Sequence, residues 1–479
     1  MWTKPTRAWP TSRSKCGQAG QALIYGLFML TAGLAALFFL FNVGQLTQEK
    51  AKLVNTSDAV AYSAGVMQAR AMNFAAYTNR ALIANELAIA QSVSLASWGD
   101  YLVQHGGSAL GLGCSSAGAY SEPAAEWMLR YLPVCLSLGT STQGNVLIAA
   151  DNAIRVATSA ATALSEAFKT LNQTAQIVLK TSQDVLALVL PVARLSVMQD
   201  VADANYQGDG AVRVDVIPLR DTYYWFHKDT VNPLNPSPMV QIYAGAQRTR
   251  LRDLVVNVVN RDGLTPSRTW SDTALIPQAD CLFLGVYRNH VERSGGTQLI
   301  GFDEWRATDQ ATYYRWNLQT PKWSLPYCEE SAQTLGNGDQ RASASGVTTA
   351  SSHHWKYSGI PGFAELSAEA LQDPDPRAQF AVRVLRESNQ TRTSDARADI
   401  KTTARLNAYN NAVPTDALTQ SKVYVGLSAA ETFFKRPTER GDGMQEIGSL
   451  FSPYWQTHLM PVPDSVREAA QLLQGVVTP

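Results

Sequence analysis

Residues 22–43 read ALIYGLFMLTAGLAALFFLFNV, and no charged residue stands between Cys16 and Gln48. As an α-helix this run of about 22 residues, rising ~1.5 Å each, covers roughly 33 Å, the thickness of a bilayer's hydrocarbon core. A helix apolar all round needs lipid or a large body of protein about it. Beyond it the pattern becomes a seven-residue repeat: Leu46, Leu53, Val60, Met67, Phe74, Ala81, Ala88, Leu95 and Leu102. Small or polar residues (Ser57, Ala64, Ala71, Thr78) follow most of these by four positions, which describes a seam for a closely approaching partner helix. No proline falls between Thr11 and Gln104, so the spanning helix is expected to run straight on.

A Gly- and Ser-rich stretch, 106–118, ends this helix, and a second long helical pattern occupies 143–204. There Leu164, Leu171, Val178, Val185 and Val192 share one stripe, with Ala157, Phe168, Ala175 and Val189 beside it. Pro191 should kink this helix without ending it, because apolar periodicity continues through Leu195, Met198 and Val201. The two seams allow an antiparallel hairpin within one chain, which we favour, or packing of the first seam on sister subunits. From residue 206 alternating or β-branched runs appear at 211–219, 239–243, 281–287, 311–316, 379–385 and 423–427, separated by turn signals such as Asn232-Pro233. The Gly/Ser/Thr/Ala-dominated stretch 334–358 is expected as a mobile surface loop, 388–399 as a polar linker. Residues 463–473 should form a short helix opened by a Ser465/Glu468 capping box. The fold class is therefore α+β: a single N-terminal transmembrane helix continues into a long periplasmic helical hairpin, followed by a mixed α+β distal domain. The expected divisions are a basic tail (1–21), the span (22–43), a helical stalk (44–205), the distal domain (206–462) and a C-terminal helix and tail (463–479).

Charge fixes the expected orientation. Lys4, Arg7, Arg13 and Lys15 precede the span without an acid among them, while Glu49, Lys50, Lys52 and Asp58 follow it, which puts the N-terminus in the cytoplasm and the bulk outside. A cleaved secretory signal is the alternative, but the run is long for one and no small-residue cleavage site follows it. Across the chain 40 Lys and Arg balance 40 Asp and Glu, so no global field draws it to nucleic acid. In an oxidising compartment Cys114, Cys135, Cys281 and Cys328 could pair in three ways, of which Cys114–Cys135 and Cys281–Cys328 are favoured; buried free thiols are the alternative.

Signs of catalysis are missing from the sequence. None of the six histidines sits in H-E-x-x-H or at zinc spacing beside a cysteine, and His353-His354 are chain neighbours, which seldom face one ion. Gly336-Asn337-Gly338-Asp339 lacks the lysine of a phosphate loop, and no G-x-S-x-G elbow is present. Asp373 and Asp375 fit a Pro-Asp turn, and Arg440-Gly441-Asp442 a tight polar turn. No catalytic, cofactor or metal residue is assigned, and no enzyme is expected. Seven tryptophans from Trp225 to Trp455 could line a glycan-binding face, although core or interface is the commoner use of such residues.

Gly20-Gln21-Ala22-Leu23-Ile24-Tyr25 at the opening of the span resembles the R-G-Q-A-L-V-E-F start of TadE/TadG-like proteins of tight-adherence (Flp, type IVc) pilus assembly. The stretch from Lys52 through Asp58-Ala59-Val60-Ala61-Tyr62-Ser63 to Ala64 is similar to the segment that follows the span in TadG-like members. LSAAETFFKRP at 427–437 and LFSPYWQTHL at 450–459 look like C-terminal signatures of some relatives. Pilin-like members carry Glu five residues after the peptidase glycine; here that position is Tyr25, so the resemblance implies the uncleaved, TadG-like branch. It further implies a non-enzymatic component of the inner membrane, contacting other pilus or secretion components; the seam of the stalk helix leaves self-association open beside packing on the second helix. Leu46, Leu53, Val60, Met67, Phe74, Leu95 and Leu102 are the expected packing seam, and Tyr454 and Trp455 the aromatics expected to serve distal-domain packing or an interface. A membrane-tethered glycan-binding module and an anchored hydrolase are the rival functions.

Overall fold

The computed structural model describes residues 19–111, 133–134, 145–215, 219–223, 239–277, 281–344, 354–390 and 415–474. One helix, α1 (Ala19–Gly111), runs from the apolar segment through the 44–105 region without interruption. At ~1.5 Å per residue it is about 140 Å long. A second, α2 (Asn145–Asn205), contains Pro191 and continues past it. The two lie antiparallel: Glu86 meets Gln176, Asn79 meets Gln183, and Lys52 meets Asp209 just beyond the end of α2.

The buried face of α1 follows a helical turn of 3.6 residues, not the seven-residue repeat. Leu53, Val60, Ala64, Gln68, Ala71, Ala75, Asn79, Leu82, Glu86, Val93, Ser97 and Tyr101 lie on it, all buried. An untwisted helix drifts about 20° per heptad from a strict 3.5-residue register, so a seven-residue repeat walks off such a face. Leu53 and Val60 start within it, Leu46, Met67 and Leu102 are half-buried, and Phe74 and Leu95 are 40% and 37% exposed. The single seam read from the sequence is corrected accordingly. What covers the face is also more than a partner helix, since two sheets press on α1 in succession.

The first sheet is antiparallel, with β1 (Arg213–Val214) and β2 (Arg220–Asp221) both on one edge of β10 (Arg377–Glu387), followed by β11 (Val423–Phe434) and β12 (Trp455–Met460). Leu53, Val60, Ala61 and Ala64 of α1 share a core with Met198 and Ala202 of α2 and with Phe380, Val382 and Ala430 of this sheet. A short helix at the C-terminal end, Asp464–Leu473, covers the sheet's other face through Val466 and Ala470, against Leu219, Ala381 and Ala429. The second sheet is β4 (Trp270–Pro277), β5 (Arg288–Ile300), β6 (Glu304–Gln319) and β7 (Tyr327–Ser343) in an antiparallel meander, closed by a parallel β8 (His354–Lys356). Along β6 every second residue, Trp305, Ala307, Asp309, Ala311 and Tyr313, is buried, the two-residue period of a strand with one covered face. Trp305 and Ala307 pack with Leu82, Ile89, Val93 and Ala96 of α1, and with Leu251 and Val255 of α3 (Thr249–Val259). A two-stranded pair, β3 (Val240–Tyr243) with β9 (Phe363–Leu366), supplies Val240, Ala364 and Leu366 to a core with Met72, Ala75, Ala187 and Leu190, and α4 (Ala368–Gln372) follows β9.

Several sequence expectations change. α1 shares its cores with strands beyond residue 205: Leu53, Val60 and Ala64 with Phe380, Val382 and Ala430, and Leu82, Ile89 and Val93 with Trp305 and Ala307. Residues 281–287 form a turn, with the Leu284 N–H donating to the Cys281 carbonyl, and the strand begins at Arg288. Much of the expected 334–358 loop is strand: β7 extends to Ser343 and β8 begins at His354. Its glycines serve close approach: a Cβ on Gly338 would run into the Ser97 carbonyl oxygen, and one on Gly336 would stand 2.6 Å from the His105 nitrogen. The C-terminal helix, α5, is capped at Pro463 with no side-chain hydrogen bond, so the Ser465/Glu468 box is not used; Ser465 lies inside the first turn. Cys281 and Cys328 are joined by a disulfide with Cα atoms 6.0 Å apart. Cys114 and Cys135 lie outside the described residues.

Gly338→Ala should cost about 1–3 kcal/mol, as inserting a methyl into a packed contact does. Gly263→Ala, at a position with no atom within 4 Å, should stay within about 0.5 kcal/mol of wild type. Denaturant midpoints of the two purified variants check this; equal midpoints would contradict the close helix–strand contact.

Candidate functional site

Among the described residues, α1 leaves the body as a long, exposed apolar helix. Leu23, Phe28, Met29, Leu37, Leu40 and Phe41 are all exposed; Asn42 is buried, and the buried face proper begins at Leu53. There Glu49 and Lys52 form a charged collar: Glu49 pairs with Arg386 at 3.1 Å and Lys52 with Asp209 at 2.7 Å, while Lys52 and Arg386 both lie over the Tyr206 ring. Among the described residues two helical stretches are long and apolar enough to cross a membrane, Ala22–Ser108 and Thr170–Asn205. None of the first one's most apolar window is buried in protein, whereas the second is partly buried.

Just above the collar the structure gathers the stretches singled out in the sequence. Gly426 of β11 lies against Leu53, where a Cβ would come 2.9 Å from its carbonyl oxygen. The Ser428 hydroxyl donates to Asp58 Oδ1 at 2.7 Å, and the Thr432 hydroxyl donates to the Gly65 carbonyl at 3.2 Å. Asn73 both donates to the Trp455 carbonyl and accepts from its N–H, each at 3.0 Å. Asn79 Nδ2 donates to the carbonyls of Leu450 (2.7 Å) and Ala364 (2.6 Å). Residues 427–437 and 450–459 are thus bound, group by group, to the helix immediately following the apolar segment. Trp455 is buried in this junction, its Nε1 donating to the Ser449 carbonyl at 3.2 Å, and so is core. Tyr454 is half-buried beneath Phe434 and the Arg436 guanidinium.

Further along α1 the buried polar groups are equally committed. Glu86 accepts from Tyr357 Oη (2.6 Å), Trp305 Nε1 (3.0 Å) and Gln176 Nε2 (2.7 Å), and burial pushes its pKa up to about 7. Asp309 accepts from Arg268 (2.7 and 2.9 Å), Arg293 (2.9 Å) and the Ser97 hydroxyl (2.8 Å). His105 sits beside the Tyr101 hydroxyl at 2.8 Å, and burial lowers its pKa to about 4, so it is neutral at pH 7. Glu86 and Asp309 thus tie helix to sheet, through Trp305 and Ser97. Among the described residues no group of three His, Cys, Asp or Glu side chains is placed to hold a metal ion. His353 lies outside the described residues, as does the side chain of His354. Arg440 and Asp442 pair within an exposed turn whose Gly443 has φ +70°, and Asp373 accepts from the Asp375 N–H at 2.9 Å, as an Asx turn does. Of the described tryptophans, Trp305, Trp355 and Trp455 are buried, Trp270 and Trp316 are half-buried, and Trp323 is 98% exposed; Trp225 lies outside the described residues.

The fold thus defines a class: a mixed helix-and-sheet body rooted on an apolar N-terminal helix. Residues 20–71 match the family model for Flp pilus-assembly TadE/G-like proteins, so the chain carries a TadE/G-like domain over that stretch. The match begins in the exposed apolar segment and ends inside the core. It takes in the Gly20–Tyr25 and Lys52–Ala64 stretches and stops short of 427–437 and 450–459. No curated protein and no solved structure matches the chain.

Two outcomes follow from the buried acids. Glu86 is protonated more readily folded than unfolded, so it stabilises below about pH 4.5 and that contribution is lost as pH rises through about 7. His105 acts with the opposite sign between about pH 4 and 6.5, which leaves the difference from a Glu86→Gln variant as the clean reading. Wild type should lose up to about 3 kcal/mol relative to Glu86→Gln between pH 4.5 and pH 8; a pH-independent difference in unfolding midpoint would contradict the buried carboxyl. Asp309→Ala should destabilise by about 3–5 kcal/mol, because two guanidiniums lose their counter-charge. The same denaturant titration measures it.

Proposed function

We propose that this protein is a membrane-anchored, non-enzymatic component of a Flp/Tad-type pilus assembly or related secretion apparatus. Residues 22–43 are its single span, with the basic tail in the cytoplasm and the folded body in the periplasm. The observation that carries this reading is the TadE/G-like match over residues 20–71, laid across the point where α1 passes from full exposure into the core. A continuous helix keeps all its backbone hydrogen bonds within itself, and so can leave a protein core for hydrocarbon at no cost in unpaired groups. The collar of Glu49, Lys52, Asp209 and Arg386 then lies where a headgroup region would begin.

The uncleaved branch follows from Tyr25. At the position where pilin-like members bury a glutamate, this chain has an exposed aromatic whose hydroxyl suits a membrane interface better than a filament core. The body is then an interaction platform for other pilus components. Support for a protein-binding role comes from buried polar groups of α1 such as Asn79, Glu86 and Ser97, whose hydrogen bonds hold the helix to its strands.

C-terminal fusions test the topology. Alkaline phosphatase fused after Pro479 should be active and a cytosolic fluorescent protein there dark; the reverse pattern, or release of the protein by carbonate washing, would contradict the anchored reading. Crosslinking in cells followed by purification should recover a pilus ATPase, platform protein or pilin-like subunit, and recovery of none would contradict the assembly role.

A further inference from the structure

The apolar stripe that the sequence places on the second helix does not face α1. The side of α2 against α1 carries Gln176, Gln183, Ala187, Leu190, Arg194 and Met198, all buried. Leu171, Val178, Val185 and Val192, one every seven residues, lie on the opposite side and are 66%, 60%, 51% and 72% exposed. Phe168 and Leu188 flank them, also exposed. Among the described charges of this stretch, Lys180 and Asp184 pair with each other at 2.9 Å and leave the stripe itself uncharged. A drift of about 20° per heptad over three heptads is small enough to keep all four residues outward.

We propose that this face of α2 is a homodimer seam, and that its occupant is the same face of a second copy of this chain. The inference rests on the anchored reading above for its geometry. Two copies held in one membrane by the same helix have the same polarity and height, so a twofold axis along the membrane normal sets each α2 parallel to its mate with each residue opposite itself. Knobs-into-holes packing asks for apolar residues at two positions of each heptad. Leu171, Val178, Val185 and Val192 supply the first, and the exposed Ala175 and Val189 two of the second. Val at three of the four first positions suits the β-branched preference of parallel two-stranded coils. An uncharged stripe meets its own copy without like-charge repulsion. The contact, about 32 Å long at ~1.5 Å per residue, is modest. Confinement of both copies to one membrane raises their effective concentration and offsets that shortness.

The test uses the full-length chain in native membranes, carried as two differently tagged copies in one cell and treated with a short bis-maleimide. Val178→Cys and Val185→Cys should each give a species of twice the 52.1 kDa chain mass containing both tags. Its yield should be at least tenfold above wild type, which reports Cys16, Cys114 and Cys135, and above Glu468→Cys on the far face of the body. Adding Leu171→Lys to Val178→Cys should cut the yield at least tenfold; position 171 is exposed, so folding is retained, as an unchanged denaturant midpoint would show. Yields equal to the Glu468→Cys control, or adducts carrying a single tag and another protein, would overturn the seam. Membrane fractionation of the same samples separates the two readings: a membrane-integrated chain without the dimer species overturns the seam alone, whereas a soluble chain that still crosslinks at residue 178 overturns the anchored reading and leaves the helix pairing standing.

Discussion

The structure depends on α1 being one rod seated backbone-close against its sheets. Gly336 and Gly338 of β7 and Gly426 of β11 bring strand and helix backbones nearer than any side chain would allow. These contacts occur at both ends of the buried stretch, near Leu53 and near Ser97–His105, so the helix is gripped along some 50 residues, about 75 Å at ~1.5 Å each. A helix held that way has little freedom to rotate or slide, because interiors are close-packed. Whatever direction its apolar end takes, the body must follow.

Packing alone would leave the helix's rotation loosely specified, since many of its buried residues are alanines of similar shape. Polar groups supply the register. Asp58, Asn73, Asn79, Glu86 and Ser97 each find one partner set on β11, β12, β9, β6 or α2. A shift of the helix by one residue would strand several of them in a dry interior at a cost of about 1–3 kcal/mol apiece. Buried polar side chains on α1 are thus what makes a small-residue helix specific for its two sheets.

The continuous helix, its apolar segment and the second helix through Pro191 were legible in the sequence because each is a local pattern: length without charge, absence of proline, unbroken periodicity. β10, β11 and β3 were also visible as alternating runs. What failed has a common cause in tertiary contact. The 334–343 stretch reads as low complexity because its glycines are there to admit α1, and no local rule distinguishes that use from a loop. The seven-residue repeat on α1 is present but does not choose the buried face, since two sheets, not one supercoiled helix, cover it. Trp455 stood out as an aromatic for packing or docking, and it packs in the junction, its ring fixed by Ser449 and its backbone by Asn73. The 20–71 stretch was recognisable from Gly20–Tyr25 and Lys52–Ala64, whereas its binding to 427–437 and 450–459 depends on contacts more than 350 residues apart in sequence.

Hydrogen exchange of the full-length protein in lipid nanodiscs, read on peptides spanning residues 40–60, tests the single-rod account most directly. Amides from the apolar segment through the Glu49–Lys52 collar into the Leu53–Val60 core should be protected as one continuous stretch. A fast-exchanging break between residues 44 and 52 would mean a hinge at that point, an anchor and a body joined loosely, and would contradict the account.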